Sequence, residues 1–294
     1  MKLPSVLRHT TANRPVTGLS QMEALARIDE GLSTITGRNR FLGERLVLGP
    51  NWVHALIGRG DSGEHGRPGT FEDLGWAHNY RTDAGMDWIH NSMGGVAVPT
   101  TNSPATAITA TQLTGTGSGL SAGALNGYRL VMPVTGLTTA PVFGNIAGNT
   151  TSIIYVDQWN NPDYTTGTTP GSTSAYIVLP GQGPARFIAL TNDATAYSAG
   201  MTTLASEITT NGCGRALATF AHTATAETYT EIKTWTASGA QTVHRAGNFT
   251  CNYNSSASGG GIMAAITDLN ADAVLAINDT LQVTWTWTLP NQGA

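Results

Sequence analysis

The sequence predicts a mainly β chain whose main body is an antiparallel, jelly-roll-like β-sandwich. Between residues 185 and 289, short segments alternate apolar and polar residues with a period of two, which belongs to strands. They are Arg186–Thr191, Ala216–Ala221, Tyr229–Trp235, Gln241–Phe249, Ile262–Ile266 and Leu281–Leu289. Charged residues make up only 12% of a chain that contains 35 glycines, and this composition is typical of turn-rich β structure.

The segment Leu281–Leu289 shows the alternation most clearly. Leu281, Val283, Trp285 and Trp287 are apolar, and the residues between them are threonine or glutamine. Strict alternation places one set on a core face and the other toward solvent. We therefore expect both tryptophans in the core of the sandwich.

Residues 1–70 are predicted to form an N-terminal anchoring and oligomerisation segment. Within it, Leu19–Ile35 predicts a short helix, because Ser20 and Glu23 have the spacing of a capping box. Four apolar residues then recur at helical spacing and form one stripe, which we predict to be an interface with a sister subunit or a partner. They are Met22, Leu25, Ile28 and Leu32.

A second short helix is predicted at about Thr82–Met93, capped by Thr82 or Asp83 and ended by Gly94. Beyond it, residues 97–182 are rich in Thr, Gly, Pro and Ala and contain isolated strand-like stretches. They predict a small β subdomain inserted into a surface loop, which costs little because closure entropy grows slowly with loop length. The sandwich would then comprise residues 71–96 and 183–294.

The net charge of −4 gives no reason to expect a nucleic-acid partner, which usually requires a basic patch. No apolar run approaches the roughly 20 residues of a membrane span. Met1–Thr10 lacks the apolar core of a signal peptide. We therefore expect a soluble protein made in a cytoplasm.

Cys213 and Cys251 do not have the spacing of a metal knuckle or a redox motif. Two free, partly buried thiols are the expectation, although only geometry decides whether a disulfide can join them.

Eight short stretches, taken in order, carry a resemblance to a protein family. They are Gly75–Asn79 (GWAHN), Gly85–Ile89 (GMDWI), Ile188–Ala196 (IALTNDATA), Thr202–Gly212 (TTLASEITTNG), Gly212–Ala216 (GCGRA), Phe220–Ala224 (FAHTA), Ala246–Phe249 (AGNF) and Asp279–Thr286 (DTLQVTWT). Their order resembles that in virion structural proteins of tailed bacteriophages, from the tail, the neck or the head decoration. Asn248 departs from that pattern, because an apolar residue is usual there.

The resemblance implies a non-enzymatic structural component of a phage virion. Such a protein would be made in the cytoplasm of the bacterial host, attach to the particle through its N-terminal segment and display its β domains outward. It would belong either to a head decoration or cement layer or to the tail or neck. The implied partners are other virion proteins and further copies of the chain, by analogy a trimer, and no cofactor is implied.

A second interpretation is a carbohydrate- or host-receptor-binding module that uses the inserted subdomain. Trp159 and Tyr164 would then form an aromatic platform for a sugar. The opposing interpretation is that both rings pack a small β core, and we favour it.

The densest polar cluster consists of His78, Asp83, Asp87 and His90. On a helix, Asp83 and Asp87 share a face, so two carboxylates and an imidazole could surround a divalent ion. A solvated helix face with an aspartate cap explains the same residues, and no metal or catalytic site is predicted.

Glu207 has a structural expectation of its own. It is predicted to accept hydrogen bonds from Gly212–Arg215 or to pair with Arg215.

Overall fold

A computed structural model describes residues 15–20, 23–24, 52–60, 69–78, 80–94, 105–115, 120–132, 141–171, 176–224, 226, 228–252 and 260–288. This part of the chain is mainly β, and its strands form three antiparallel sheets. The predicted fold class, a mainly β chain with antiparallel sheets, is confirmed.

The first sheet has six strands in the order β1-β3-β2-β17-β14-β13. They are β1 (Val16–Leu19), β2 (Trp52–Gly58), β3 (Phe71–His78), β13 (Thr219–His222), β14 (Thr228–Thr236) and β17 (Thr280–Thr288). The second sheet has five strands in the order β12-β11-β15-β16-β4. They are β4 (Tyr80–Arg81), β11 (Phe187–Thr191), β12 (Ala216–Leu217), β15 (Gln241–Phe249) and β16 (Met263–Leu275).

The third sheet is built only from strands that lie between residues 105 and 182, in the order β10-β7-β8-β9-β6-β5. They are β5 (Ala105–Ile108), β6 (Gln112–Gly115), β7 (Tyr128–Met132), β8 (Val142–Asn149), β9 (Ile153–Val156) and β10 (Ile177–Gln182). This sheet has its own apolar core, which includes Leu113, Leu130 and Ile146. It meets the sandwich through backbone contacts such as that of Gly261 N to Ala147 O, at 2.8 Å.

The helix α1 (Asp83–Gly94) joins the sandwich to the third sheet and begins as predicted. The Thr82 hydroxyl accepts a hydrogen bond from Gly85 N at 2.9 Å, so Thr82 is the cap. Gly85 is required at this point, because a Cβ atom there would lie 1.9 Å from the carbonyl oxygen of Ala264.

The first and second sheets enclose the main apolar core. Val283 and Trp285 of β17 are fully buried in it, and Trp287 is 5% exposed, so the core face predicted for this strand is confirmed. The opposite face differs from the prediction, because Thr284 and Thr286 are also buried. These short side chains lie directly opposite His54 and Trp52 of β2, which are buried as well.

Strand β2 lies between β3 and β17, and β1 pairs with the other edge of β3. Residues 1–70 therefore contribute two strands to the first sheet, although we assigned this range to an anchoring segment. Residues 38–57 also have a strand-like pattern in the sequence, but that pattern does not show that Trp52–Ile57 lies inside the sandwich, where it is buried on both faces.

The predicted capping box at the start of the N-terminal helix is present. Ser20 N donates to Glu23 Oε2 at 2.8 Å, and Glu23 N donates to Ser20 Oγ at 3.4 Å. The predicted interface stripe of Met22, Leu25, Ile28 and Leu32 lies outside the described residues.

Strand β16 continues nine residues beyond Ile266, where the sequence predicted its end. Asp268 and Asp272 interrupt the apolar pattern, but both are paired with basic residues of β15. Arg245 Nε donates to Asp268 Oδ1 at 2.6 Å, and His244 Nδ1 lies 2.5 Å from Asp272 Oδ1. These cross-strand pairs allow a polar sequence to remain in the sheet.

Candidate functional site

A row of directly opposed residues crosses the first sheet and ends at an exposed edge. Val53, Trp285, Glu231 and Phe220 occupy the same row on β2, β17, β14 and β13. Val53 and Trp285 are buried between the sheets, whereas Phe220 is 47% exposed. Strand β13 is exposed along its whole length. The row therefore begins in the core and ends at an aromatic side chain on the surface.

Arg186 lies beside this edge, immediately before β11. Its main chain pairs with Ala218, which donates N–H to Arg186 O at 2.8 Å, and its Nη2 donates back to Ala218 O at 3.1 Å. The Cζ atom lies 4.8 Å from the ring centroid of Tyr164 and 5.8 Å from that of Phe220. Both distances are within the range of cation–π attraction.

Tyr164 belongs to the 161–166 turn that follows the third sheet's β9. Its ring meets Phe143 edge to face at 5.0 Å, and the Cζ of Arg129 lies 5.7 Å from the Phe143 centroid. A continuous series of contacts thus links two guanidinium groups and three rings, those of Arg129, Phe143, Tyr164, Arg186 and Phe220. We call these five residues the arginine–aromatic surface.

Glu231 and Asn248 form a polar pair between the two sheets beneath this surface. Asn248 Nδ2 donates to Glu231 Oε2 at 2.6 Å, and both side chains are buried. Burial raises the pKa of Glu231 to about 8, against smaller lowering effects from Asn248, Trp287 and Arg186. Glu231 is therefore mainly protonated at neutral pH.

Asn248 Oδ1 is also buried and has no hydrogen-bond partner among the described residues. A protonated carboxyl group, unlike a carboxylate, can donate a hydrogen bond as well as accept one. Asn248, where the sequence resemblance would place an apolar residue, is fully buried. Its side-chain amide donates a hydrogen bond to the carboxyl group of Glu231 on the opposite sheet.

The two aromatic residues of the alternative sugar platform, Trp159 and Tyr164, do not lie on one surface. Trp159 is 2% exposed, packs into the core of the third sheet and donates Nε1–H to Thr109 O at 2.9 Å. A sugar cannot stack on a ring that is enclosed in this way. Tyr164, in contrast, is half-buried and is a member of the arginine–aromatic surface.

The cluster predicted around the second helix is dispersed. Asp83 and Asp87 are exposed on α1, while the ring of His78 packs edge-on against Trp52 and Tyr80, at 5.2 and 5.7 Å. Within the described ranges, no group of three or more His, Cys, Asp and Glu side chains could hold a metal ion. The side chain of His90 is outside those ranges.

The predicted pairing of Glu207 with Arg215 is confirmed. Arg215 donates Nε–H and Nη2–H to the two carboxylate oxygens at 2.9 and 2.6 Å. Its Nη1 donates to the carbonyl oxygens of Cys251 and Gly260, and its Cζ lies 3.7 Å from the centroid of the Phe249 ring. This pair anchors the 204–215 segment to the outer face of the second sheet.

Neither Cys213 nor Cys251 forms a disulfide, as expected, and both are fully buried rather than partly buried. Burial raises the pKa of the Cys213 thiol, which disfavours the reactive thiolate.

A buried histidine–aspartate pair was not found from the sequence. His54 Nε2 lies 2.8 Å from Asp73 Oδ1, which also accepts a hydrogen bond from Gly75 N at 2.7 Å. His54 packs against Trp76 with ring centroids 4.9 Å apart, and the pair is at most 1% exposed. A substrate cannot reach it, so we assign the pair to packing.

The sequence also did not identify Arg186, Phe220, Glu231 or Asn248 as neighbours, because they lie on four separate segments. One signal was present in the pattern. Glu231 stands between Tyr229 and Trp235 in the alternating set that faces the core, and a carboxyl group there needs a polar partner across the sandwich.

No protein-family model matches this chain, and searches of curated proteins and of solved structures give no significant match. Among the described residues, no helix is both long and apolar enough to cross a membrane.

Proposed function

We propose that this protein is a non-enzymatic structural component of a tailed-phage virion. The observation that carries the proposal is the structural role of the sequence motifs that resemble the phage proteins. The residues in which the resemblance is most evident hold the sandwich together instead of converging on a pocket. Motif residues that hold the fold together are expected in a structural protein.

The motif at Gly85–Ile89 binds α1 to both of its neighbours. Gly85 allows the helix to touch the backbone of Ala264, and Trp88 donates Nε1–H to Gly183 O at 2.8 Å. The Trp88 ring also lies 6.0 Å from that of Trp287, centroid to centroid. The motif thus fixes the third sheet to the sandwich.

The motif that begins at Asp279 connects the end of β2 with the start of β17 in the first sheet. Asp279 accepts hydrogen bonds from Gly60 N at 2.6 Å, from Ala276 N at 3.0 Å and from Arg59 Nη1 at 2.9 Å. Although desolvation raises its pKa, these hydrogen bonds and the Arg59 charge lower it overall. Asp279 therefore remains ionised and joins the ends of β2 and β17.

In this proposal the N-terminal segment attaches the protein to the particle, either in the head lattice or in the tail or neck. We predict that deletion of residues 1–35 abolishes incorporation into virions while the β body still folds, since the deletion removes only the edge strand β1 from the described sheets. Quantitative mass spectrometry of purified particles measures incorporation, with circular dichroism as the folding control.

The copy number per particle separates the two placements, because hundreds of copies indicate the head lattice and a few to a few dozen indicate the tail or neck. The anchoring role is wrong if the truncated chain is incorporated at the normal copy number. Absence of the full-length chain from purified particles would overturn the virion role altogether.

A second candidate function is recognition of a carbohydrate or a host receptor. The observation in its favour is the position of Tyr164 in the turn after β9 of the third sheet, where it contacts Arg186 of the sandwich, which in turn lies beside the exposed Phe220. This function is compatible with a place on the surface of a particle.

A further inference from the structure

We propose that the arginine–aromatic surface is a binding site for an anionic saccharide. The carboxylate or phosphate group of the ligand would be held by the guanidinium group of Arg186, and a sugar ring would pack on Phe220. This inference rests on the second candidate function and specifies its ligand class.

The first argument is uncompensated charge. Arg59, Arg215 and Arg245 each pair with a carboxylate, whereas Arg129 and Arg186 have no ion pair with any residue of the described ranges. Glu231 does not neutralise Arg186, because it is mainly protonated at neutral pH. A guanidinium group without a counter-ion recognises a carboxylate or a phosphate through its planar set of N–H donors.

The remaining donors of Arg186 determine where an anion can bind. Nη2 is used by Ala218 O, and Nε is buried without a partner. Nη1 makes no hydrogen bond in the described structure and is not among its enclosed atoms. An anion is therefore expected at the Nη1 edge, while the flat face of the guanidinium stays on Tyr164.

The second argument is preorganisation. Tyr164 has a φ of 67°, in the left-handed region that tyrosine rarely adopts. Such strain costs on the order of 1 kcal/mol and persists only where contacts with the surrounding structure hold the residue in place. Here Phe143 and Arg186 hold the Tyr164 ring from two sides, and the ring in turn orients the guanidinium of Arg186 before any ligand arrives.

The third argument is the exposed ring. Phe220 is one of only four large apolar side chains that are exposed in the described ranges and the one aromatic ring among them, and it lies 5.8 Å from the Cζ atom of Arg186. The C–H face of a pyranose can bury apolar surface against it. Asp163, which lies next to Tyr164 in the sequence, accepts hydrogen bonds from Thr165 N and Oγ1 within its own turn.

The test is isothermal titration calorimetry on the full chain with three polymers: polygalacturonate for carboxylates, glycerol-phosphate teichoic acid for phosphates, and dextran as the neutral control. We expect one or both anionic polymers to bind and dextran not to bind. Phe220→Ala and Arg186→Gln should each weaken binding by about tenfold or more. Ile277→Ala, which truncates an equally exposed apolar residue far along the chain, should leave it unchanged.

The polymer that binds identifies the anionic group, and either result supports the proposal. Failure of both anionic polymers to bind at millimolar saccharide overturns it, as does binding that neither variant weakens. Phe220→Ala keeps the test decisive if Arg186→Gln does not fold. Dimerisation through Phe220 without saccharide binding, detected by sedimentation, would assign the surface to a second copy of the chain and overturn the proposal.

The outcome for the virion role is independent. A chain that binds the acidic polymer but is absent from particles leaves the saccharide site standing and overturns the virion role. A chain that is incorporated into particles but binds neither anionic polymer supports the virion role and overturns the saccharide site.

Discussion

Two arginines of this protein lie over aromatic rings in opposite circumstances. Arg215 lies 3.7 Å from the Phe249 centroid, is 4% exposed, and makes two hydrogen bonds to Glu207 and two to carbonyl oxygens. Arg186 lies 4.8 Å from the Tyr164 centroid and has one hydrogen bond and no carboxylate partner in the described ranges. An arginine therefore lies over an aromatic ring in both places, but the hydrogen-bond donors of Arg215 are used within the protein and most of those of Arg186 are not.

The difference shows that a cation–π contact does not by itself indicate a site. At Arg215 every strong donor is used within the protein, so the contact contributes to packing. At Arg186 the ring packs against a guanidinium group that has no carboxylate partner among the residues that the structure describes. The partners of the guanidinium, rather than the stacking, distinguish a structural arginine from a candidate binding residue.

The largest expected effect is on stability. Arg215→Ala leaves the carboxylate of Glu207 buried without its partner and should lower the free energy of unfolding by about 3–5 kcal/mol. Arg186→Ala removes one hydrogen bond and should cost only about 1 kcal/mol. Urea denaturation of both variants measures the contrast, and equal losses would show that the two arginines are alike.

The second effect is a pH dependence that originates in Glu231. Its pKa is about 8 in the folded protein and near 4.5 in the unfolded chain. Below pH 4.5 the group is protonated in both states. Between pH 4.5 and 8 only the unfolded chain ionises, so stability falls as pH rises, by roughly 1.4 kcal/mol per unit at most, and the loss is complete above the folded pKa.

Glu231→Gln should remove this slope and keep the hydrogen bond that Asn248 Nδ2 donates, because the amide oxygen of glutamine accepts in the same place. The measurement is the difference in unfolding free energy between wild type and variant at pH 5.5 and pH 8. A difference that does not change with pH would mean that Glu231 is ionised in the folded protein.

The smallest effect concerns Tyr164. Tyr164→Gly relieves the left-handed backbone strain but loses the ring contacts, so the unfolding free energy should change by less than about 1 kcal/mol. Binding of the anionic polymer should nevertheless weaken, because Arg186 loses the ring that orients it. A variant that is strongly destabilised, or that binds normally, would contradict the preorganisation argument.

The sequence predicted the parts of the fold that repeat a local pattern. The core face of β17 and the caps at Ser20 and Thr82 depend on residues within a few positions of one another, so alternation and spacing reveal them. The strand-like pattern of residues 38–57 did not reveal that β2 lies in the middle of the first sheet, because its partner β17 is more than 200 residues away in the sequence.

The candidate site could not be predicted, because it depends on which loops meet. Tyr164 reaches Arg186 only through the docking of the third sheet on the sandwich, and Phe220 reaches it only because β12 and β13 run into different sheets. Trp159 and Tyr164 are five positions apart, yet one points into a core and the other lies at the surface.

The central claim is that the guanidinium of Arg186 is available to an anion and that of Arg215 is not. Nitrogen-15 NMR of the arginine Nε–H groups during titration with oligogalacturonate or glycerol-phosphate oligomers tests it directly. The account predicts that the Arg186 signal shifts with saturation while the Arg215 signal stays in place. An Arg186 signal that does not move with either oligomer, or one that moves together with Arg215, would contradict it.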